Sequence, residues 1–207
     1  MVDNMKPKKN IPKKKKNIPK KKKYTAEEFF EFTKDKEDRY ELIDGRIYRM
    51  GDIYMMSSPA VKHQRIIREI GSELRNYLKG KKCEIFMAPL DVVLFKKDKE
   101  KSQNVFQPDI FVVCDPKKIS KERIYGAPDF IVEVISASNP ENDCVYKLNV
   151  YMQYGVKEYW IVNPDTNNIL VYIKDEDKIR FHIYTFSDKI KVGIFDGFEI
   201  DFKELQI

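Results

Sequence analysis

Glu133 stands inside an apolar run, Phe130-Ile131-Val132-Glu133-Val134-Ile135, that reads as a strand buried on both faces. An ionised carboxylate in such a place costs several kcal/mol unless a cation or a metal answers it. A second acid, Asp109, opens another apolar run, Pro108-Asp109-Ile110-Phe111-Val112-Val113. Beyond the Glu133 run, a helix-like stretch carries Lys147. Two strand carboxylates and a lysine are the residue types of a metal-dependent hydrolytic site. Side chains alternate along a strand, so Glu133 shares a face with Ile131 and Ile135. Asp109 falls at a sheet end, where solvent and ligand enter. If the two strands pair, both carboxylates converge on one hard cation. Mg²⁺ fits that role, with Mn²⁺ as the alternative, because it takes few carboxylates, keeps waters and accepts phosphate oxygens. A lysine beside it would orient the attacking water or oppose transition-state charge. From the bare residues, a structural ion pair between Glu133 and Lys147 without metal fits equally well.

The elements that must position these groups are read from pattern. Thr25-Ala26-Glu27-Glu28 has the form of a capping box, opening a helix that runs toward Lys36. Residues 40–50 read as a hairpin turning at Asp44-Gly45. Ile66, Ile67, Ile70 and Leu74 recur at helical spacing over 61–78, and Gly80 follows as a stop. Strands are expected over 84–87, 91–95 and 109–114, with 96–104 an exposed loop and 116–127 a connector. A turn at 139–142 leads into a helix over 143–154, where Asp143 and Lys147 share a face one turn apart. Tyr159-Trp160-Ile161-Val162 is the next strand, and 169–202 reads as three or four short antiparallel strands. Strands interleaved with helices give an α/β sandwich-like domain.

Composition limits the alternatives. The 207 residues suit one domain, expected over 24–207, and 42% hydrophobic residues suffice for its core. Twelve Tyr and thirteen Phe favour a strand-rich one. No run reaches the length of a membrane span and the N-terminus lacks a signal-peptide core, so the expected compartment is the cytoplasm. Cys83, Cys114 and Cys144 show neither metal-ligand spacing nor a disulfide framework, and each is read as a buried or idle thiol. The net charge of +6 divides unevenly: residues 1–23 hold eleven lysines and one acid, a net +10, leaving −4 on the body. That leader repeats Asn-Ile-Pro followed by four lysines, a composition that does not bury surface enough to fold. Its two readings are a salt-dependent, sequence-independent grip on nucleic acid and a solubilising leader without a task.

The residues also form an ordered series: Tyr40-Glu41-Leu42-Ile43-Asp44-Gly45, then Gln107-Pro108-Asp109-Ile110, then 127–136 around Glu133, then Asp143-Cys144-Val145-Tyr146-Lys147, Tyr151, and 154–164. In that order they resemble the Uma-two family, restriction-endonuclease-like proteins of the PD-(D/E)XK superfamily, over about 25–165. The resemblance implies a mixed β-sheet core flanked by helices, with C-terminal antiparallel strands. It implies a Mg²⁺-dependent endonuclease acting on DNA, with Asp109 and Glu133 as metal ligands. The superfamily lysine normally stands two residues after the second acid; here that place holds Ile135, and the resemblance assigns the lysine to Lys147. Glu41 matches an acid near the family's first hairpin and would assist the metal or a second one. Ala137 and Asn163 depart from the common proline and aspartate, away from the metal shell. His63 falls near a family histidine; phosphate contact or proton transfer is one reading, and a satisfied helix residue is the favoured one. Asp91 reads as a turn cap or a group behind the ligands, Trp160 and Tyr159 as core or rim with base stacking the alternative. Family membership does not establish turnover. The competing function is a nucleic-acid-binding or assembly protein that keeps the fold without catalysis. A homodimer is an open expectation, since cutting both strands often uses two sites.

Overall fold

A computed structural model describes residues 23–50, 61–96, 101–135, 141–176 and 178–207, with the side chains of 141–143 excepted. The readings placed on the lysine-rich leader, on 136–140 and on the Asp143 side chain therefore lie outside the described residues.

Thr25 caps α1 (Ala26–Thr33): its hydroxyl accepts from Glu28 N at 3.3 Å, and the Glu28 carboxylate accepts from Thr25 N at 3.0 Å. The helix stops three residues short of Lys36. The hairpin β1 (Tyr40–Ile43) and β2 (Arg46–Arg49) turns on Asp44 and Gly45, with φ of 46° and 76°. Positive φ at both positions is what a two-residue turn of this hand demands. Helix α2 (Val61–Leu78) buries one stripe, His63, Ile66, Ile70, Leu74 and Leu78, and is the helix the periodicity predicts. There follow β3 (Glu84–Met87), β4 (Val92–Leu94), β5 (Asn104–Phe106), β6 (Ile110–Val113), β7 (Ile124–Tyr125) and β8 (Phe130–Val134). Helix α3 (Glu141–Tyr154) leads to β9 (Glu158–Asn163), β10 (Asn168–Asp175), β11 (Lys178–Thr185), β12 (Lys189–Lys191) and β13 (Glu199–Asp201). Strand β7 falls where a connector was expected, and β5, for which no strand was expected, overlaps the expected loop only at Asn104; at two or three residues both are too short to show alternation.

The strands build a six-stranded sheet, β11-β10-β9-β8-β6-β3, a five-stranded sheet, β2-β1-β5-β4-β7, and the β12-β13 pair. In the larger sheet β8 and β9 run parallel, joined by α3, and the other neighbours are antiparallel. Alternation divides its residues cleanly. Phe130, Val132 and Val134 pack with α2 and the C-terminal strands, whereas Ile131 packs with α3 and with Val92, Leu94 and Phe106 of the second sheet. The second sheet turns its other face to Phe29 and Ala26 of α1. Helix α3 therefore lies between two sheets, and Glu133 points into that same layer.

Cys83 and Cys114 form a disulfide, which corrects the reading of idle thiols. The β3–β6 register pairs Glu84 with Val113, and one step further sets the two cysteines directly opposite each other. A separation of 31 residues does not disclose that register. Cys144 is buried and lies outside the bridge.

Trp160 and Tyr159 are both fully enclosed in the core, so neither stacks on a base. The indole Nε1 of Trp160 donates to Glu158 Oε1 at 2.7 Å, and Ile194 N donates to Oε2 at 3.0 Å, so Glu158 ties the C-terminal segment to the sheet. Burial pushes the Glu158 carboxyl up to about 7, against the pull of hydrogen bonds from Trp160, Ile194 and Gly193. Because the folded pKa is raised from 4.5, the folded chain keeps a proton that the unfolded chain releases between those two values. The contribution is thus favourable below about pH 4.5 and is lost as pH rises to about 7. Glu158→Gln does not titrate, so its stability relative to wild type should improve by about 3 kcal/mol across that window. Urea unfolding of both proteins at pH 4.5 and 8 checks this; parallel curves would refute it.

Candidate active site

The pairing of β6 with β8 decides where the acids stand. Ile110 faces Val132 and Phe111 faces Ile131, so one further step places Asp109 opposite Glu133. Residues opposite each other in an antiparallel pair have Cβ atoms about 4.5–5.5 Å apart. Asp109 Oδ2 accepts the backbone N–H of Val134 at 2.9 Å, which fixes the carboxylate across the strand end.

Lysine enters from α3. Lys147 Nζ lies 3.6 Å from Glu133 Oε1 and 3.1 Å from Glu41 Oε1. Tyr151, four residues on and hence on the same helix face, donates its hydroxyl to Glu133 Oε1 at 3.1 Å. Burial, and then the Glu133 carboxylate, push the Tyr151 phenol well above its ordinary range, so it stays a donor. Glu41 projects from β1 of the second sheet, where it also accepts Gln107 N at 3.2 Å. The Gln107 side chain in turn donates to Asp91 Oδ1 at 2.9 Å, which makes Asp91 a support for the segment leading into Asp109. Phe106 lies below the ammonium, 5.9 Å from ring centre to Nζ. Glu133 and Lys147 are each 1% exposed.

Glu41, Glu133 and Lys147 therefore meet where β1, β8 and α3 come together, and the β6–β8 register sets Asp109 opposite Glu133. Asp129, the other acid flanking β8, does not join them. It accepts Cys114 N at 2.8 Å and Lys157 Nζ at 2.7 Å, and though burial opposes it, those bonds hold its carboxyl below the usual range. His182, on β11 at the far edge of the sheet, has its ring tilted 40° to that of Tyr184. His63 departs from the favoured reading of a satisfied helix residue. Its Nε2 lies 3.6 Å from Asp109 Oδ2, and its buried Nδ1 has no hydrogen-bond partner among the described residues. Tyr151 was visible in the sequence as part of the series but signalled no role, because a tyrosine on a helix between two sheets also reads as core.

Glu41 and Glu133 share the Lys147 ammonium and Asp109 stands opposite Glu133, so three carboxylates to one lysine leave two formal negative charges in this neighbourhood. That imbalance suits one divalent cation. Among the described residues no three His, Cys, Asp or Glu side chains form a ready-made metal cage. Mg²⁺ does not ask for one, since it binds through one or two carboxylates and keeps waters.

The family profile described as "Putative restriction endonuclease" matches residues 26–203. The chain belongs to the Uma2 family. Its fold is shared with a crystal structure from Anabaena variabilis titled a putative nuclease of the DUF820 group, with a TM-score of 0.69 over 87% of this chain and 96% of that one, at 19% identity. An uncharacterized protein of Synechocystis sp. is 27% identical over 154 residues, 74% of this chain and 75% of the relative. The Uma2 match carries the restriction-endonuclease-like assignment expected from the residue series, and no helix among the described residues is long and apolar enough to cross a membrane.

Proposed function

We propose that this Uma2 protein is a metal-dependent endonuclease that hydrolyses DNA phosphodiester bonds. The observation that carries the reading is the register of β6 on β8, which sets Asp109 opposite Glu133, with Lys147 reaching Glu133 to 3.6 Å. Asp109 and Glu133 would hold Mg²⁺ or Mn²⁺, and Glu41 would add negative charge behind them. A divalent ion bound there supplies a Lewis acid beside the phosphate.

The protein's own groups do the rest. Val134 N and Tyr151 hydroxyl hold the two carboxylates in place. Lys147 bridges Glu41 and Glu133 while no substrate is present. The long stem of Lys147 would let its ammonium reach phosphate oxygens and oppose the charge that develops on them. The deciding experiment is cleavage of plasmid DNA with Mg²⁺, with and without a chelator. Chelator-sensitive nicking or cutting supports the reading.

One observation favours a second reading, a fold that binds nucleic acid without cutting it. The closer acid to Lys147 is Glu41, at 3.1 Å, so the lysine is already engaged in a buried network. Under that reading DNA shifts equally with and without metal. The lysine-rich leader bears on both. Deleting residues 1–23 is expected to weaken DNA binding and to flatten the dependence of log K on log salt by several units, as about 0.9 per lost phosphate contact requires. An unchanged slope in a filter-binding titration would assign the leader no grip on DNA.

A further inference from the structure

We propose that β11 is a self-association edge: two copies of this chain pair their β11 strands antiparallel about a two-fold axis through Phe181, and the six-stranded sheet continues from one copy into the next. β11 is the last strand of the larger sheet, and no strand lies beyond it among the described residues. At 8 residues it is longer than the ~5–6 of a common strand, and its outer row of backbone N–H and C=O groups is a template for another strand. Alternation sorts its side chains. Ile179, Phe181 and Ile183 share one face and are 48%, 60% and 62% exposed. The register on β10 sets them beside Lys174, Tyr172 and Leu170, on the face that α3 covers further in. Phe181 stacks on Tyr172 with 6.1 Å between ring centres. The apolar face thus runs on past the helix that shields it and ends at an open edge.

The pattern selects a second copy as the occupant. A two-fold contact must be complementary to itself. With Phe181 on the axis, its ring meets its own counterpart, and Ile179 meets the counterpart of Ile183. On the opposite face the same register sets Lys178 against Tyr184 and Arg180 against His182. No Lys or Arg meets another, and Arg180 is already paired with Asp175 at 3.1 Å. The other edge of this sheet, β3, is a poorer partner. It has 4 residues, and its Ile85 and Phe86 are packed against the two cores. Joining β11 to β3 would also propagate head to tail, whereas β11 on β11 closes. Pairing along ~27 Å of an edge about 10 Å thick buries roughly 400–500 Å² of each copy, less than the ~800 Å² of a standard interface, so the dimer is reversible and micromolar.

The test is sedimentation equilibrium of the full chain from about 1 to 200 µM. The expected mass rises with concentration from 24.6 kDa toward twice that value. Phe181→Lys sets two ammonium groups face to face on the axis and should weaken association about tenfold or more. Its fold should survive, because the ring is mostly exposed in the single chain, and circular dichroism checks this. Phe181→Cys reads the register independently. Facing residues of an antiparallel pair have Cβ atoms about 4.5–5.5 Å apart, within a small shift of disulfide reach, so mild oxidation should link two copies there. Val61→Cys, exposed on α2, should link far more slowly. The chain's own cysteines stand aside, Cys83 and Cys114 bridged and Cys144 buried. A wild-type mass of one chain at the highest concentration, a dimer that Phe181→Lys leaves intact, or equal linking rates for the two cysteine variants overturns the proposal. None of these results touches the nuclease reading, on which the pairing does not depend.

Discussion

Glu133→Gln should reduce metal-dependent cleavage by about 10³-fold or more and leave the metal-free protein at least as stable as wild type. The activity loss follows from removing a charged ligand; a metal acting as Lewis acid supplies several kcal/mol, and ~4 kcal/mol is about a thousandfold in rate. The stability result follows from the charge balance. Lys147 serves Glu41 at 3.1 Å and Glu133 at 3.6 Å, so neutralising Glu133 leaves one carboxylate matched to one ammonium. Glutamine keeps an oxygen to accept the Tyr151 hydroxyl. A cleavage time course and a thermal melt in chelator report the two halves separately. Retained cleavage would remove Glu133 from the site, and a large drop in melting temperature would show the ion pair to be structural.

Lys147→Met is expected to act in the opposite sense on stability, lowering it by about 3 kcal/mol in the absence of metal. Methionine fills much of the aliphatic stem's volume, so the loss is electrostatic: Glu41 and Glu133 remain buried without their shared cation. Divalent metal should restore part of that loss, because an ion that binds the folded state alone stabilises it by mass action. Cleavage should fall by about 10²-fold or more even at saturating metal, as loss of a donor to transition-state charge requires. Denaturant unfolding with and without Mg²⁺ measures the first effect and single-turnover cleavage the second. Wild-type rates in this variant would take Lys147 out of the chemistry.

The two variants share one premise, that two buried acids held by one lysine stand beside Asp109 and are completed by a cation. Much of that was legible in the chain. Glu133 announced itself because a carboxylate inside FIV-VI strand composition has no apolar explanation, and Asp109 because it precedes a second such run. Helix α2 and the Thr25 capping box follow from local rules that tertiary context did not override. What stayed hidden depends on register. The Cys83–Cys114 bridge and the approach of His63 to Asp109 both join residues far apart in sequence; the β3–β6 register makes the first and the packing of α2 on the sheet makes the second. Glu41 could be placed by resemblance alone, because the contact it makes with Lys147 joins the second sheet to α3 across 106 residues of sequence. Strands β5 and β7 were missed for a simpler reason: their pairing partners, rather than their own pattern, make them strands.

Crystals of the full chain grown with Mn²⁺ and measured at an anomalous wavelength test the central claim most directly. The account predicts a single strong peak within about 2.2 Å of both an Asp109 and a Glu133 oxygen. A structure at saturating Mn²⁺ in which those oxygens lack any anomalous neighbour, with Lys147 still bridging Glu41 and Glu133, would contradict it.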